Sequence, residues 1–369
     1  MRLAAVVKAD GYGHGLQVTA RTFAAAGADL LCVASLDEAL ALRETGLETP
    51  ILVLYTVPPE SVSVAAAAHV ELVAAEEGAL RDTLAAWRER AAGGAGRARL
   101  RIHLEVETGL ARAGLRPDRV AAAARTIVEA PRAELAGLWS HLSSSHDADV
   151  SAAQMERFRA AEAALIGTGL PLPARHIAAT GALFAATAPF GDLVRPGLAL
   201  YGELPDGFPI APDRAVAAGA LRPAMTLKAR PLRVERLEPG ERVGYGGLWT
   251  AERPSMAATL PLGYGDGWVR AYRGASALVR GRRAPLVGSV AMDAVVADVT
   301  DVPGVGPEDE FVLLGRQEAE VVTATELARL RTTISWEVLA SMAYRVPRVY
   351  HAGAGLSGHR TLAGESLTR

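Results

Sequence analysis

Eight short apolar runs, separated by segments of helix length, fill the first two hundred residues of this chain and narrow its fold more than any other feature. The runs lie at residues 3–9, 30–35, 51–55, 70–74, 100–107, 135–142, 175–179 and 193–201. Between them come Ala-rich, charge-bearing stretches of helical period, such as residues 151–168, which is the pattern of βα units around a parallel sheet. Eight such units fit an α/β fold of the closed (β/α)8, TIM-barrel type better than an open doubly wound sheet. From about residue 219 the texture changes to Pro and Gly turns between short runs at 226–234, 256–260, 277–279 and 294–299, the signature of a smaller β-rich domain. The expected division is therefore 1–218 for the barrel and 219–369 for the β-rich C-terminal domain, joined by the Pro-rich stretch 205–223.

The fifth run gives a parity test. Leu100, Ile102, Leu104 and Val106 share one face, and Arg101, His103, Glu105 and Glu107 share the other, as period-2 alternation requires. The apolar face belongs against helices and the charged face inside the barrel. Charges there are costly unless paired or liganded, so this strand is a candidate for function; the alternative is an exposed edge strand.

Composition bounds the partners. Half of the 369 residues are hydrophobic and 22% are charged, with a formal net charge of −2. That balance suits a large globular core and gives no reason to expect nucleic acid or an anionic membrane as partner. The single cysteine, Cys32, lies in an apolar run and reads as a buried, inert thiol. With no run of spanning length and no signal peptide, the expected compartment is reducing and cytoplasmic. Met1 stands only a few residues before a strand that reads as buried, so the start is read as mis-assigned or truncated.

The chemistry concentrates at the C-terminal ends of the strands, where barrels of this type place function. In Val6-Val7-Lys8-Ala9-Asp10-Gly11-Tyr12-Gly13-His14-Gly15 a lone lysine ends an apolar run. Desolvation there favours an amine able to attack a carbonyl, and the glycines let backbone approach a ligand. Spacing and the missing carboxylate argue against a dinucleotide fingerprint. Arg112 follows the fifth run, His141 ends the sixth, Thr180 opens the helix after the seventh, and Arg195-Pro196-Gly197-Leu198 lies in the eighth. Each has a plainer reading: a surface lysine, a core histidine, an N-cap, an ion-pair partner. Together, a reactive lysine, a small-residue cup for an anion and an arginine are the parts expected around pyridoxal 5'-phosphate.

On these motifs, with Val243-Gly244-Tyr245-Gly246-Gly247, Gly263-Tyr264-Gly265-Asp266-Gly267, Met292-Asp293 and Tyr344-Arg345-Val346-Pro347-Arg348, the chain resembles alanine racemases, fold-type III pyridoxal-phosphate enzymes. The resemblance runs from Val6 to Tyr350. It implies that Lys8 binds the cofactor covalently and is the base on one face of the substrate Cα. Tyr245, from the other subunit, would be the base on the opposite face. It implies that Arg195 contacts the ring nitrogen with His141 in support, and that Tyr12, Thr180 and Tyr344 contact the phosphate beside Gly197 and Leu198. Arg112 would bind the substrate carboxylate, with Met292 and Tyr264 shaping the substrate end from the partner. A homodimer with shared sites, no metal, and supply of D-alanine to the cell wall follow from the same likeness.

The chain also departs from the pattern. The family commonly has a lysine, modified to a carbamate, where Glu105 stands, and an aspartate where Glu107 stands. Glu105 is read as supplying directly the anion that orients Arg112. Leu110, Ala111 and Ser289 replace a methionine, a polar residue and an arginine of many relatives and leave substrate breadth open. The alternatives are racemisation of another small amino acid such as serine, a non-enzymatic barrel that binds pyridoxal phosphate, and an inactive paralogue.

Overall fold

The computed structural model describes residues 1–92 and 98–367. The chain divides into two compact units. One comprises Met1–Gly11, Leu16–Leu200 and Gly207–Leu221; the other comprises Tyr12–Gly15, Tyr201–Asp206 and Arg222–Arg369.

In the first unit β1 (Arg2–Val6), β2 (Leu30–Val33), β3 (Ile51–Val53), β4 (Val70–Ala74), β5 (Leu100–Glu105), β6 (Ala133–Trp139), β7 (Ala174–His176) and β8 (Leu193–Val194) run in the order β7-β6-β5-β4-β3-β2-β1-β8. All of these neighbours pair in parallel. The seam between β7 and β8 closes just past the strand ends, where Arg195 N–H donates to Ala178 O at 2.8 Å and Ala179 pairs with Arg195. This is the TIM-type barrel that the alternation predicts.

Local sequence explains the helices. Ser35 and Glu38 form a capping box at Leu36–Glu44, satisfying two otherwise orphaned N–H groups. Asp147 caps Ala148–Ile166. The parity of β5 holds as far as Glu105, where the strand ends: Ile102 and Leu104 join the apolar cluster that includes Val120, Ala124 and Ile127 of helix Val120–Val128. Burying each such side chain is worth about 1.5–3 kcal/mol.

Two runs read as continuous are interrupted. The eighth strand stops at Val194 and gives way to a 3-10 turn at Leu198–Tyr201, since Pro196 has no N–H to extend the ladder. Residues 226–234 split into β9 (Leu227–Ala229) and β10 (Arg233–Leu237) around Pro231.

The second unit also contains β11 (Arg242–Val243), β12 (Trp249–Thr250), β13 (Ser255–Leu260), β14 (Ser276–Val279), β15 (Arg282–Val287), β16 (Val295–Asp298), β17 (Phe311–Gln317) and β18 (Glu320–Val322). The main antiparallel sheet has the order β10-β13-β16-β15-β14-β17-β18, with β9 on β17. A separate three-stranded sheet of β19 (Arg348–Ala352), β20 (Gly355–Thr361) and β21 (Gly364–Leu367) ends the described chain. Its largely exposed strands have little apolar alternation for a sequence reading to detect. No helix among the described residues is long and apolar enough to cross a membrane.

Candidate active site

Within the barrel unit the chain after β1 turns the wrong way for L-residues. Ala9, Asp10 and Gly11 have φ of 55°, 54° and 60°, a left-handed turn that costs about 1–2 kcal/mol per non-glycine residue. Hydrogen bonds hold it. Glu38 Oε1 accepts from Ala9 N–H at 2.7 Å while Oε2 accepts from Ala34 N–H at 2.7 Å, and Asp10 Oδ1 accepts from Leu16 N–H at 2.9 Å. Glycine is required at 11, where a Cβ would lie 2.4 Å from Thr19 Oγ1. The strained turn is over-determined by its surroundings, a pattern that clusters at functional sites. It starts the residue after the half-buried Lys8.

Lys8 and Arg112 converge on Tyr55, a residue the sequence reading passed over. Lys8 Nζ is 5.8 Å from the ring centroid and Arg112 Cζ is 5.7 Å from it. Arg112 Nη2 lies 3.6 Å from Glu105 Oε1, and Glu105 is buried. Burial pushes the Glu105 carboxyl above its ordinary pKa, against the pull of Arg112 and Arg195. Glu107 does not enter the barrel. Its carboxylate accepts from the N–H groups of Gly109 and Ala111 and folds the loop that leads to Arg112.

Arg195 is the polar centre of the interior and only 3% exposed. Its Nη1 donates to His176 Nδ1 and His176 O, both at 2.7 Å; its Nη2 donates to Ser140 O at 2.8 Å and lies 3.4 Å from His141 Nδ1. Among the described residues Nε–H is the one N–H of this guanidinium with no protein acceptor. Burial lowers Arg195 to about 10, which leaves it charged at neutral pH. His141, two residues past the end of β6, is pushed down to about 3 by burial and by the charges of Arg195, Arg112 and Lys8, so it is neutral.

Thr180 is not the N-cap of its helix; that place belongs to Ala179. Its Oγ1 accepts from Gly197 N–H at 3.1 Å and from Ala199 N–H at 3.4 Å, tying the turn around Leu198 to the helix start and leaving the hydroxyl proton free to donate. Cys32 is fully buried and raised by that burial to about 12, the inert thiol expected.

The remaining candidates belong to the second unit. The Tyr12 ring stacks on the buried Tyr201 at 4.9 Å, with His14 on the same ring at 4.6 Å. Arg348 is buried and bonds Gly13 O at 2.9 Å, Met342 O at 3.0 Å and Ala343 O at 2.6 Å, tying the segment after Tyr12 to the one bearing Tyr344. Tyr344 lies 4.3 Å from Arg360 Cζ. Tyr245 sits in a turn whose carbonyl accepts from Ser289 Oγ at 3.0 Å, and Gly265 N–H donates to Met292 O at 2.8 Å beside Tyr264. The side chains of Tyr245, Tyr264, Met292 and Tyr344 are exposed.

Sequence reasoning missed His176, Glu71 and Glu38. Glu71 had a usable signal: it is the one charge in the otherwise apolar Val70-Glu71-Leu72-Val73-Ala74, and such a charge demands a partner.

The family model for the N-terminal domain of alanine racemase matches residues 1–205, and the model for the C-terminal domain matches residues 224–350. The chain belongs to the alanine racemase family. It is 38% identical to the alanine racemase of Sorangium cellulosum over 94% of this chain and 90% of that one. It is 40% identical to that of Symbiobacterium thermophilum over 95% and 90%. Among solved structures, alanine racemase from Bacillus anthracis with bound L-Ala-P superposes with a TM-score of 0.87 at 28% identity, covering 98% of this chain and 92% of that one. The alanine racemase family consists of isomerases, so the chain is placed among enzymes rather than binding modules.

Proposed function

We propose that this enzyme interconverts L- and D-alanine with pyridoxal 5'-phosphate, using Lys8 and the Tyr245 of a second copy as the two bases. The observation that carries the reading is the convergence of Lys8 and Arg112 on Tyr55, with Glu105 3.6 Å from Arg112, in the barrel that also holds Arg195. Within the barrel unit the donor set fits the cofactor: an amine for its aldehyde, the uncommitted Arg195 Nε–H for its ring nitrogen, and the Thr180 hydroxyl with the backbone at Gly197 and Leu198 for its phosphate; the family likeness adds the hydroxyls of Tyr12 and Tyr344 to the phosphate. When bound, the cofactor withdraws electrons from the substrate Cα.

The protein's own groups do the rest. Arg112, aligned by Glu105, takes the substrate carboxylate, because a guanidinium matches that group in charge and shape. Lys8 moves a proton on one face of Cα. A base on one face alone returns the proton to the side it left, so inversion needs a second group opposite, and exposed Tyr245 supplies it from a homodimer partner. Tyr264 and Met292 shape the substrate end from the same partner. Arg195 keeps its proton, supported by neutral His141, so it would donate a hydrogen bond to the ring nitrogen without protonating it, which would disfavour side reactions such as transamination. The product role is D-alanine for peptidoglycan in the cytoplasm.

The test is incubation with L-alanine in deuterated water, following optical rotation and Cα exchange together. Inversion coupled to exchange is expected; exchange without inversion means that only one base works. Turnover across alanine, serine and larger amino acids separates alanine from the other small substrates that a pocket of modest discrimination admits.

A further inference from the structure

A buried hydrogen-bonded chain leads away from Arg195 that the reaction above does not use. His176 Nδ1 is 2.7 Å from Arg195 Nη1, and His176 Nε2 is 2.8 Å from His103 Nδ1. His103 Nε2 is 2.6 Å from Glu71 Oε2, Arg101 Nε donates to Glu71 Oε1 at 2.8 Å, and Arg101 Nη1 reaches Glu134 Oε1 at 2.7 Å. Arg195, His176, His103 and Glu71 are all buried.

The protons in this chain can run only one way. A guanidinium only donates, so His176 Nδ1 accepts and the single proton of that ring sits on Nε2. His103 Nδ1 must then accept, which places its proton on Nε2, facing the Glu71 carboxylate. A second proton on His103 would set two N–H groups against each other. Two neutral imidazoles thus join a guanidinium to a carboxylate with every polar atom used.

The backbone makes room for the arrangement. A Cβ at Gly137 would lie 2.0 Å from His103 Nδ1. The pairing of β5 with β6 shifts register between Ile102 and His103, so that Ile102 faces Leu135 while His103 faces Gly137. Trp139 stacks on His176 with 5.8 Å between centroids and lies 4.7 Å from the Arg195 guanidinium. An apolar filling would serve stability as well or better, so the polar filling calls for another reason. The end of the chain with a free donor is Arg195.

We propose that His103 and Glu71 are positioning residues for Arg195: their one-way chain holds the guanidinium in a single orientation, with Nε–H presented as a fixed donor to an aromatic ring nitrogen. This rests on the reading of Arg195 given above.

The test compares His103→Gln with His103→Leu in the full-length holoenzyme. A glutamine amide offers an acceptor toward His176 and a donor toward Glu71, so it preserves direction without an ionisable ring; leucine fills space and breaks the chain. The readouts are the absorption band and dissociation constant of bound pyridoxal phosphate, with kcat and KM for L-alanine. Expected are a glutamine variant within about twofold of wild type and a leucine variant with a shifted band and kcat lower by on the order of 10-fold, the scale of losing an orienting partner. Equal and near-normal behaviour of both variants overturns the positioning role. Equal losses in both overturn the fixed polarity. Should the leucine variant not fold, nitrogen-15 spectra of the wild-type histidines decide: neutral Nε2–H rings at His103 and His176 support the chain, and a doubly protonated His103 overturns it. Wild-type protein that takes up no pyridoxal phosphate fails the reading of the site instead, and those spectra still judge the chain.

Discussion

The barrel interior and the exposed turns of the second unit solve opposite problems. Around Arg195 the functional groups are buried, and each is held by several partners within its own unit. Tyr245 is 79% exposed, and the turn that carries it is set by backbone contacts such as the bond from Ser289. Groups of the first kind are coupled to the fold, because removing one leaves another buried and unsatisfied. Groups of the second kind are free to change without cost to the unit that bears them. Damage to the barrel should appear in stability and activity together, whereas damage to the turns should appear in activity alone.

Tyr245→Phe gives the largest expected effect and the cleanest separation. Loss of the second base should lower racemisation by about 10²–10⁴-fold, with stability within about 0.5 kcal/mol of wild type and cofactor content retained. A chiral assay beside thermal melting reads both. A drop in melting temperature together with activity would erase the contrast between the regions.

Gly137→Ala attacks the barrel side with a single methyl group. The new Cβ lies 2.0 Å from His103 Nδ1, and overpacking of this kind costs about 1–3 kcal/mol. Denaturant unfolding should register that loss with activity falling in parallel. An unchanged unfolding midpoint would mean that the β6 backbone yields more easily than its bulge implies.

How much of this was legible in sequence follows the same line. Alternation exposed the barrel because each strand needs an apolar face for its helix, and the parity of β5 placed His103 and Glu105 inside. Lys8 was visible as a polar residue ending an apolar run, Arg112 in the loop after the fifth run and Arg195 inside the eighth. The links between strands were not. His176 sits in a strand without clean alternation, and its pairing with His103 depends on the β5–β6 register shift, which no local pattern encodes. Glu38 is the acid of a capping box, and its second oxygen also fixes the turn after Lys8; neither role was drawn from the sequence. The roles of the exposed tyrosines came from family likeness, since an exposed aromatic in a glycine turn carries no local signal of chemistry.

Two desolvated histidines, half-buried His141 and buried His176, make the barrel sensitive to acid. The pKa values of His141 and His176 both lie below the ordinary 6.5 because of burial and then the Arg195 charge. The unfolded chain therefore binds protons that the folded one refuses. Their contribution to stability is complete above about pH 6.5 and is lost as pH falls, at about 1.4 kcal/mol per pH unit for each proton. Melting temperature against pH should show this limb, and His141→Gln should reduce its slope by one proton. A slope unchanged in that variant would mean that His141 is solvated rather than buried in the working enzyme.

Glu105 gives the smallest effects and ties the barrel to its substrate. With its pKa raised by burial, ionisation of Glu105 costs the folded state stability once pH rises above 4.5, the ordinary value. Glu105→Gln removes that charge while keeping the shape. The melting temperature at neutral pH should then stay level or rise, unlike every other change inside the barrel. Arg112 meanwhile loses the anion 3.6 Å away, and KM for alanine should rise several-fold, on the scale of about 1 kcal/mol for a charged partner. Because the carboxylate is part of the side chain itself, no carbon dioxide adduct is needed, and added bicarbonate should leave wild-type activity unchanged. Activity that rises with bicarbonate would show that Arg112 is aligned by something other than Glu105. A KM that rises together with a falling melting temperature would show that the Glu105–Arg112 pair supports the barrel and does more than present an arginine to the substrate.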